Sequence, residues 1–132
     1  MNAKGNQSIL KYASTHEWVS AAGGVAVCGI TDYAQRQLTD IVFVELPPTG
    51  KKLKAGERAA VVESVKSVSD IYAPVSGEVT EVNSRLTDAP ELVNSDAFGE
   101  GWLFKIALSD EKELDKLMTK EDYDKLIQGE KT

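Results

Sequence analysis

Apolar positions in this chain fall in short runs interrupted by glycine and proline, with no long stripe of helical period before the C-terminus. A polar start ends near Leu10. Trp18-Val19 then leads into Ala21-Ala22-Gly23-Gly24, and Val25-Ala26-Val27-Cys28-Gly29-Ile30 follows, which reads as a hairpin turning at the glycine pair. Thr31 is placed to N-cap a short helix from Asp32 towards Leu38. Ile41-Val42-Phe43-Val44 is a run of β-formers without polar alternation, which predicts a strand buried on both faces, ended by Pro47-Pro48-Thr49-Gly50. Ala59-Ala60-Val61-Val62, Ile71-Tyr72, Val79-Thr80-Glu81-Val82 and Trp102 to Ala107 predict further short strands, with turns at Ala55-Gly56-Glu57 and Pro74-Val75-Ser76-Gly77. Strands this short and this often stopped indicate a β-sandwich or a partly closed barrel.

The period changes near the end. Leu114, Leu117 and Met118 recur at helical spacing behind Ser109, with Asp110, Glu111 and Glu113 where a helix dipole favours acids. Thr119 and Asp122 resemble a capping box ahead of an apolar stripe of Tyr123, Leu126 and Ile127, and Gly129 is a natural stop. The expected fold is therefore mainly β (α+β). It is one domain over residues 1–132, with a polar N-terminal extension over about 1–11 and short C-terminal helices over about 109–128. At 132 residues the length agrees with one domain of about 150.

Composition removes several function classes. Lys plus Arg is 15 and Asp plus Glu is 21, a net charge of −6. That excess opposes binding to nucleic acid, which needs a basic footprint, and to an anionic membrane surface. It suits protein partners that present basic patches. A single cysteine and a single histidine leave neither a disulfide framework nor a multi-Cys/His zinc site. Neither a signal-peptide core nor a membrane span is evident, so the expected compartment is the bacterial cytoplasm, or the mitochondrial matrix if a presequence has been removed.

Enzymatic arrangements are poorly supported, and no catalytic or metal set is expected. His16-Glu17 lacks the second histidine of a zinc-protease helix, because position 20 is Ser20. Cys28 lies among apolar neighbours, the setting of a buried structural thiol. The informative stretch is Glu63-Ser64-Val65-Lys66-Ser67-Val68-Ser69-Asp70-Ile71-Tyr72-Ala73-Pro74-Val75-Ser76-Gly77-Glu78-Val79. One strand ends near Glu63, a turn of small residues presents Lys66, and a second strand leads to Pro74. A lysine at a hairpin tip is ordinarily solvated charge. Here Ser64, Ser67 and Ser69 leave the amine accessible to a modifying enzyme, and the flexible stem suits a travelling cofactor.

This segment resembles the lipoyl-attachment motif of the glycine cleavage system H protein family, with Lys66 at the lipoylated position. Thr15-His16-Glu17-Trp18-Val19, Gly29-Ile30-Thr31-Asp32-Tyr33-Ala34-Gln35 and Asp40-Ile41-Val42-Phe43-Val44-Glu45-Leu46-Pro47 resemble the family's earlier blocks. Glu81-Val82-Asn83, Leu92-Val93-Asn94-Ser95 and Gly99-Glu100-Gly101-Trp102 resemble later ones, in order. The resemblance runs from about Tyr12 to about Ile127. One mild departure is Thr39, where glycine is common.

The resemblance implies a lipoyl/biotinyl-type flattened barrel or sandwich and a carrier without catalysis of its own. Covalent lipoate on Lys66 would carry the aminomethyl group of glycine from a pyridoxal-phosphate glycine decarboxylase to a tetrahydrofolate-dependent aminomethyltransferase. Dihydrolipoyl dehydrogenase would then reoxidise it, and a lipoate ligase or lipoyl transferase would install it. Two alternatives stay open: an H-like protein that relays lipoate, and a lipoyl domain of a 2-oxoacid dehydrogenase. The loaded arm would end in an amine prone to hydrolysis. A shielded docking site is therefore expected, with Glu17 and Asp70 as acceptors and Cys28 and Ile30 as apolar wall.

Overall fold

The structure, a computed structural model, describes residues 9–131. Two antiparallel sheets enclose the core. The larger has six strands in the order β1-β2-β3-β9-β8-β5 and the smaller three in the order β4-β6-β7. The strands are β1 (Ile9–Tyr12), β2 (Glu17–Ala22), β3 (Val25–Ile30), β4 (Ile41–Glu45), β5 (Lys52–Leu53), β6 (Arg58–Ser64), β7 (Val68–Tyr72), β8 (Gly77–Val82) and β9 (Phe104–Leu108). Helix α1 (Asp32–Leu38) joins β3 to β4, α2 (Arg85–Asp88) and α3 (Leu92–Ser95) lie between β8 and β9, and α4 (Lys120–Lys131) closes the chain.

Local chemistry accounts for most of these elements. Gly23 and Gly24 both have positive φ, +60° and +81°, the backbone that a two-residue turn between twisted strands requires, and Ala22 pairs with Val25 across it. The Thr31 hydroxyl accepts from the Ala34 N–H at 3.2 Å, capping α1 as expected. The Thr119 hydroxyl accepts from the Asp122 N–H at 3.3 Å at the start of α4. Inward-facing Val19, Ile30, Val62, Val79, Phe104 and Ile106 from both sheets form one core. A second cluster holds α4 on the large sheet, where the rings of Tyr12 and Tyr123 stack with centroids 4.8 Å apart beside buried Trp18.

Four expectations are revised. Of the expected 1–11 extension, residues 1–8 lie outside the described residues, whereas Ile9–Tyr12 is an edge strand paired with β2. The Ile41-Val44 run is not buried on both faces: Ile41 and Val44 are, but Val42 and Phe43 are 52% and 49% exposed. The reason is that β4 is an edge strand with one face on the core, and a register irregularity between Ile41 and Phe43 turns Val42 outward too. Residues Glu111–Lys116 form a 3-10 helix capped by Asp110, not by Ser109, whose hydroxyl donates instead to the Ser76 carbonyl. Finally, Gly129 does not end α4, which runs on to Lys131.

The chain turns sharply after α1, and the corner is pinned from α3. Thr39 has φ +66° and ψ −151°, a region that side chains rarely occupy, which explains physically why glycine suits the position. The Asn94 amide holds this corner, donating to the Thr39 carbonyl and to Gln35 Oε1 while its oxygen accepts from the Ile41 N–H, each at 2.9 Å.

Candidate functional site

The hairpin between β6 and β7 is rigid up to its tip. Ser64 is buried, and its hydroxyl accepts from the N–H groups of Lys66 at 3.2 Å and Ser67 at 3.1 Å. The Ser64 N–H donates to the Ser67 carbonyl at 2.8 Å. The Val65 N–H donates to the Asp40 carbonyl at 2.9 Å, tying the tip to the corner that Asn94 holds. Lys66 is exposed on this clamped turn, so a fixed platform carries a mobile side chain. Around it, four large apolar side chains face solvent: Val42, Phe43, Val65 and Val68, of which Val65 and Val68 are 66% and 65% exposed. Phe43, Glu63 and Val68 stand opposite one another across β4, β6 and β7. Grouped exposed apolar side chains are the kind of surface on which protein contacts form.

Lys66 lies in the turn and Asp70 four residues on in β7, so the backbone between them spans at most about 13 Å, four extended steps of about 3.3 Å. A cleft of about 300 Å³ opens between β7, α1 and the turn before β2, lined by Thr15, His16, Ile30, Tyr33, Asp70 and Glu130 among others. Such a volume lies at the lower end of the range for small-ligand pockets. Asp70 lies on its rim with Oδ1 3.7 Å from the Arg58 guanidinium.

The residues singled out from the sequence separate here. Asp70 and Ile30 share the cleft. Glu17 lines a neighbouring opening of about 480 Å³ with Gly56 and Tyr72, and Thr15 borders both. The Glu17 side chain is almost wholly buried, with one oxygen accepting from the Thr15 hydroxyl and the other from the Tyr72 N–H at 3.1 Å. Cys28 is in the core between the sheets, 1% exposed, and burial together with the Glu17 charge pushes its thiol pKa far up, so it is inert. Thr15, His16, Tyr33 and Glu130 were not singled out as docking residues. The first three lie in or beside the quoted blocks, but nothing in the sequence pairs Glu130 with them. A further concavity, about 620 Å³ between α4, β1 and α1, shares no residue with the β6–β7 hairpin.

Burial raises the Glu17 pKa above the usual carboxylate range, and the bonds from Thr15 and Tyr72 only partly oppose it. The folded state therefore holds this proton more tightly than the unfolded chain does. The cost of burying the charge is present above the folded pKa and is gone below the unfolded value of about 4.3. Relative to Glu17→Gln, the parent protein should gain stability as pH falls through that window. A series of melting temperatures from pH 7 to pH 4 checks this; parallel curves would show that Glu17 titrates alike in both states.

Against known sequences, the family model described as glycine cleavage H-protein matches residues 10–130. The chain belongs to this family. It is 59% identical over 117 residues to the glycine cleavage system H protein of Pseudoalteromonas translucida, covering 88% of this chain and 91% of that one. It is 52% identical over 121 residues to that of Carboxydothermus hydrogenoformans, covering 92% and 93%. The crystal structure of a glycine cleavage system H protein from Mycobacterium marinum superposes with a TM-score of 0.83 at 36% identity, over 90% of this chain and 96% of that one. Membership accounts for the mainly β fold. No described helix is long and apolar enough to cross a membrane, and no cluster of three or more potential metal ligands occurs among the described residues.

Proposed function

We propose that this H-protein family member is a non-catalytic carrier with lipoate in amide linkage to Lys66. The observation that carries the proposal is a solvent-exposed amine on a turn clamped by Ser64, on the hairpin whose second strand brings Asp70 to a cleft. When attached, the lipoyl group supplies a disulfide that opens to take the aminomethyl group left by glycine decarboxylation and is regenerated by oxidation after that group has been passed on. The chain's own residues do the rest. Ser64 and Asp40 hold the tip so that the arm swings from a defined origin. Phe43, Val65 and Val68, with Glu63 and Asp70, give partner enzymes an apolar and acidic surface to seat against.

Between partners, the arm head rests in the cleft. Asp70 and Thr15 accept from its ammonium and Ile30 lies against its methylenes, with Glu17 adding negative charge from behind Thr15. Cys28 contributes only packing beneath Ile30. Tethering replaces diffusion of an unstable intermediate by a high local concentration at each successive site. The proposed partners are glycine decarboxylase, the aminomethyltransferase, dihydrolipoyl dehydrogenase and a lipoate ligase or lipoyl transferase.

Reconstitution tests the function. The lipoylated chain with the decarboxylase alone should exchange labelled bicarbonate into glycine, at a rate that rises with carrier concentration and saturates. No exchange, together with donation of the lipoyl group to acceptor domains in the presence of a transferase, would make the chain a lipoate relay instead.

A further inference from the structure

The Thr15-His16-Glu17 block contains a residue that the carrier role does not explain. His16 has φ +77°, a backbone region that few residues other than glycine occupy. Both of its ring nitrogens are engaged by the C-terminal helix: Nδ1 lies 2.7 Å from the Tyr123 hydroxyl and Nε2 3.0 Å from Glu130 Oε1. The Tyr123 hydroxyl is also 2.6 Å from the Thr31 hydroxyl, and the Thr31 N–H donates to the His16 carbonyl at 3.0 Å. These bonds tie the turn before β2 and the N-cap of α1 to both ends of α4, to Tyr123 in its first turn and Glu130 in its last. Its consequence is spatial. The end of α4 is held against the cleft, and Glu130 becomes part of the lining that also contains Thr15, Ile30 and Asp70.

The three nearby carboxylates differ in what their charge already meets. Glu17 is buried with both oxygens bonded inside the protein, and Asp70 sits beside the permanent cation of Arg58. Glu130 meets an imidazole and, on its other contact, the Tyr33 hydroxyl, while its side chain stays 39% exposed. Neither of those partners is a fixed cation. We infer that Glu130 binds the ammonium of the aminomethyl-bearing arm, and that His16, bonded to Tyr123 and Glu130 at the two ends of α4, positions this helix as a wall of the arm's cleft. This rests on the cleft being the arm's resting place, as proposed above. A charge-assisted hydrogen bond to an ammonium in a partly shielded site is stronger than one between neutral groups, and losing it should be visible in how fast the amine escapes.

The test uses the full lipoylated chain, loaded with the aminomethyl group and freed of decarboxylase, with ammonia release followed at neutral pH. Glu130→Gln should accept lipoate normally, melt like the parent and release ammonia about tenfold faster, the ratio that corresponds to one such bond. Glu130→Asp, which keeps the charge, should retain most of the protection. A second readout needs no substitution: the carboxyl carbon resonance of Glu130 should move when the lipoyl form is loaded and stay in place when lipoate alone is attached. Parent-like release from Glu130→Gln, or a resonance indifferent to loading, overturns the role of Glu130. Should the parent itself lose ammonia as fast as a free S-aminomethyl thiol, it is the cleft reading that fails.

Discussion

Replacing Lys66 with arginine should leave a folded chain that accepts no lipoyl group and supports no glycine-dependent carbon dioxide release. The guanidinium keeps the positive charge and most of the stem, but it stays protonated at any accessible pH and is not an amine that can be acylated. The fold should not notice. Lys66 is exposed, and the turn is held by the Ser64 hydroxyl and the Asp40 carbonyl through backbone N–H groups, which arginine also supplies. A surface change of this kind alters stability by about 0.5 kcal/mol or less. Intact mass after incubation with a lipoylating enzyme is the direct measurement, and thermal unfolding is its control. A lipoyl increment that persists in Lys66→Arg would move the attachment site elsewhere.

The largest structural effect is expected far from the lysine in function but close to it in chain. Gly77 has φ +155°, and a Cβ there would overlap the carbonyl oxygen of Ala107 and come within 2.5 Å of Ile106 Cγ2. Both neighbours belong to β9, the strand against which β8 is paired, and Gly77 is itself opposite Leu108 and Leu53 in the ladders on its two sides. A backbone carbonyl in a central strand cannot swing aside as a flexible side chain would, so Gly77→Ala has to open the β8–β9 pairing. Overpacking of this severity costs about 3 kcal/mol, the upper part of the range for one added methyl group. For a chain of this length the melting temperature should fall by about 10 °C. Circular dichroism melts decide it; a change within about 2 °C would mean that the sheet accommodates the methyl group.

Much of the architecture was legible because it depends on neighbours in sequence. A glycine pair between two apolar runs specifies a hairpin whatever surrounds it, since few other residues take positive φ twice in succession. Thr31 and Thr119 cap helices because a hydroxyl reaches an N–H only three residues away. The lysine hairpin was readable for the same reason, since the serine that clamps it lies two positions from the lysine. Where elements were misjudged, the deciding factor was non-local. Val42 and Phe43 have the composition of core residues, and only the placement of β4 at a sheet edge puts them in water. The short helices α2 and α3 carry no long periodic stripe. They exist because Leu86 and Val93 are buried against the rest of the molecule and Asn94 holds the corner after α1.

The cleft beside Asp70 divides along the same line. The sequence alone determined the exposed lysine at a hairpin tip, the short β-strands and the family resemblance, because each is written in residues that are contiguous or in ordered blocks. It also pointed to Asp70 and Ile30, which do meet in one cleft. Only the tertiary structure decided that Glu17 faces a neighbouring opening with both oxygens engaged, that Cys28 does not line the cleft, and that Glu130 arrives beside His16 from 114 positions away. A carboxylate's role depends on what its oxygens touch and how much water remains around it. Those are properties of packed surfaces, and packing brings together residues that the chain itself keeps far apart.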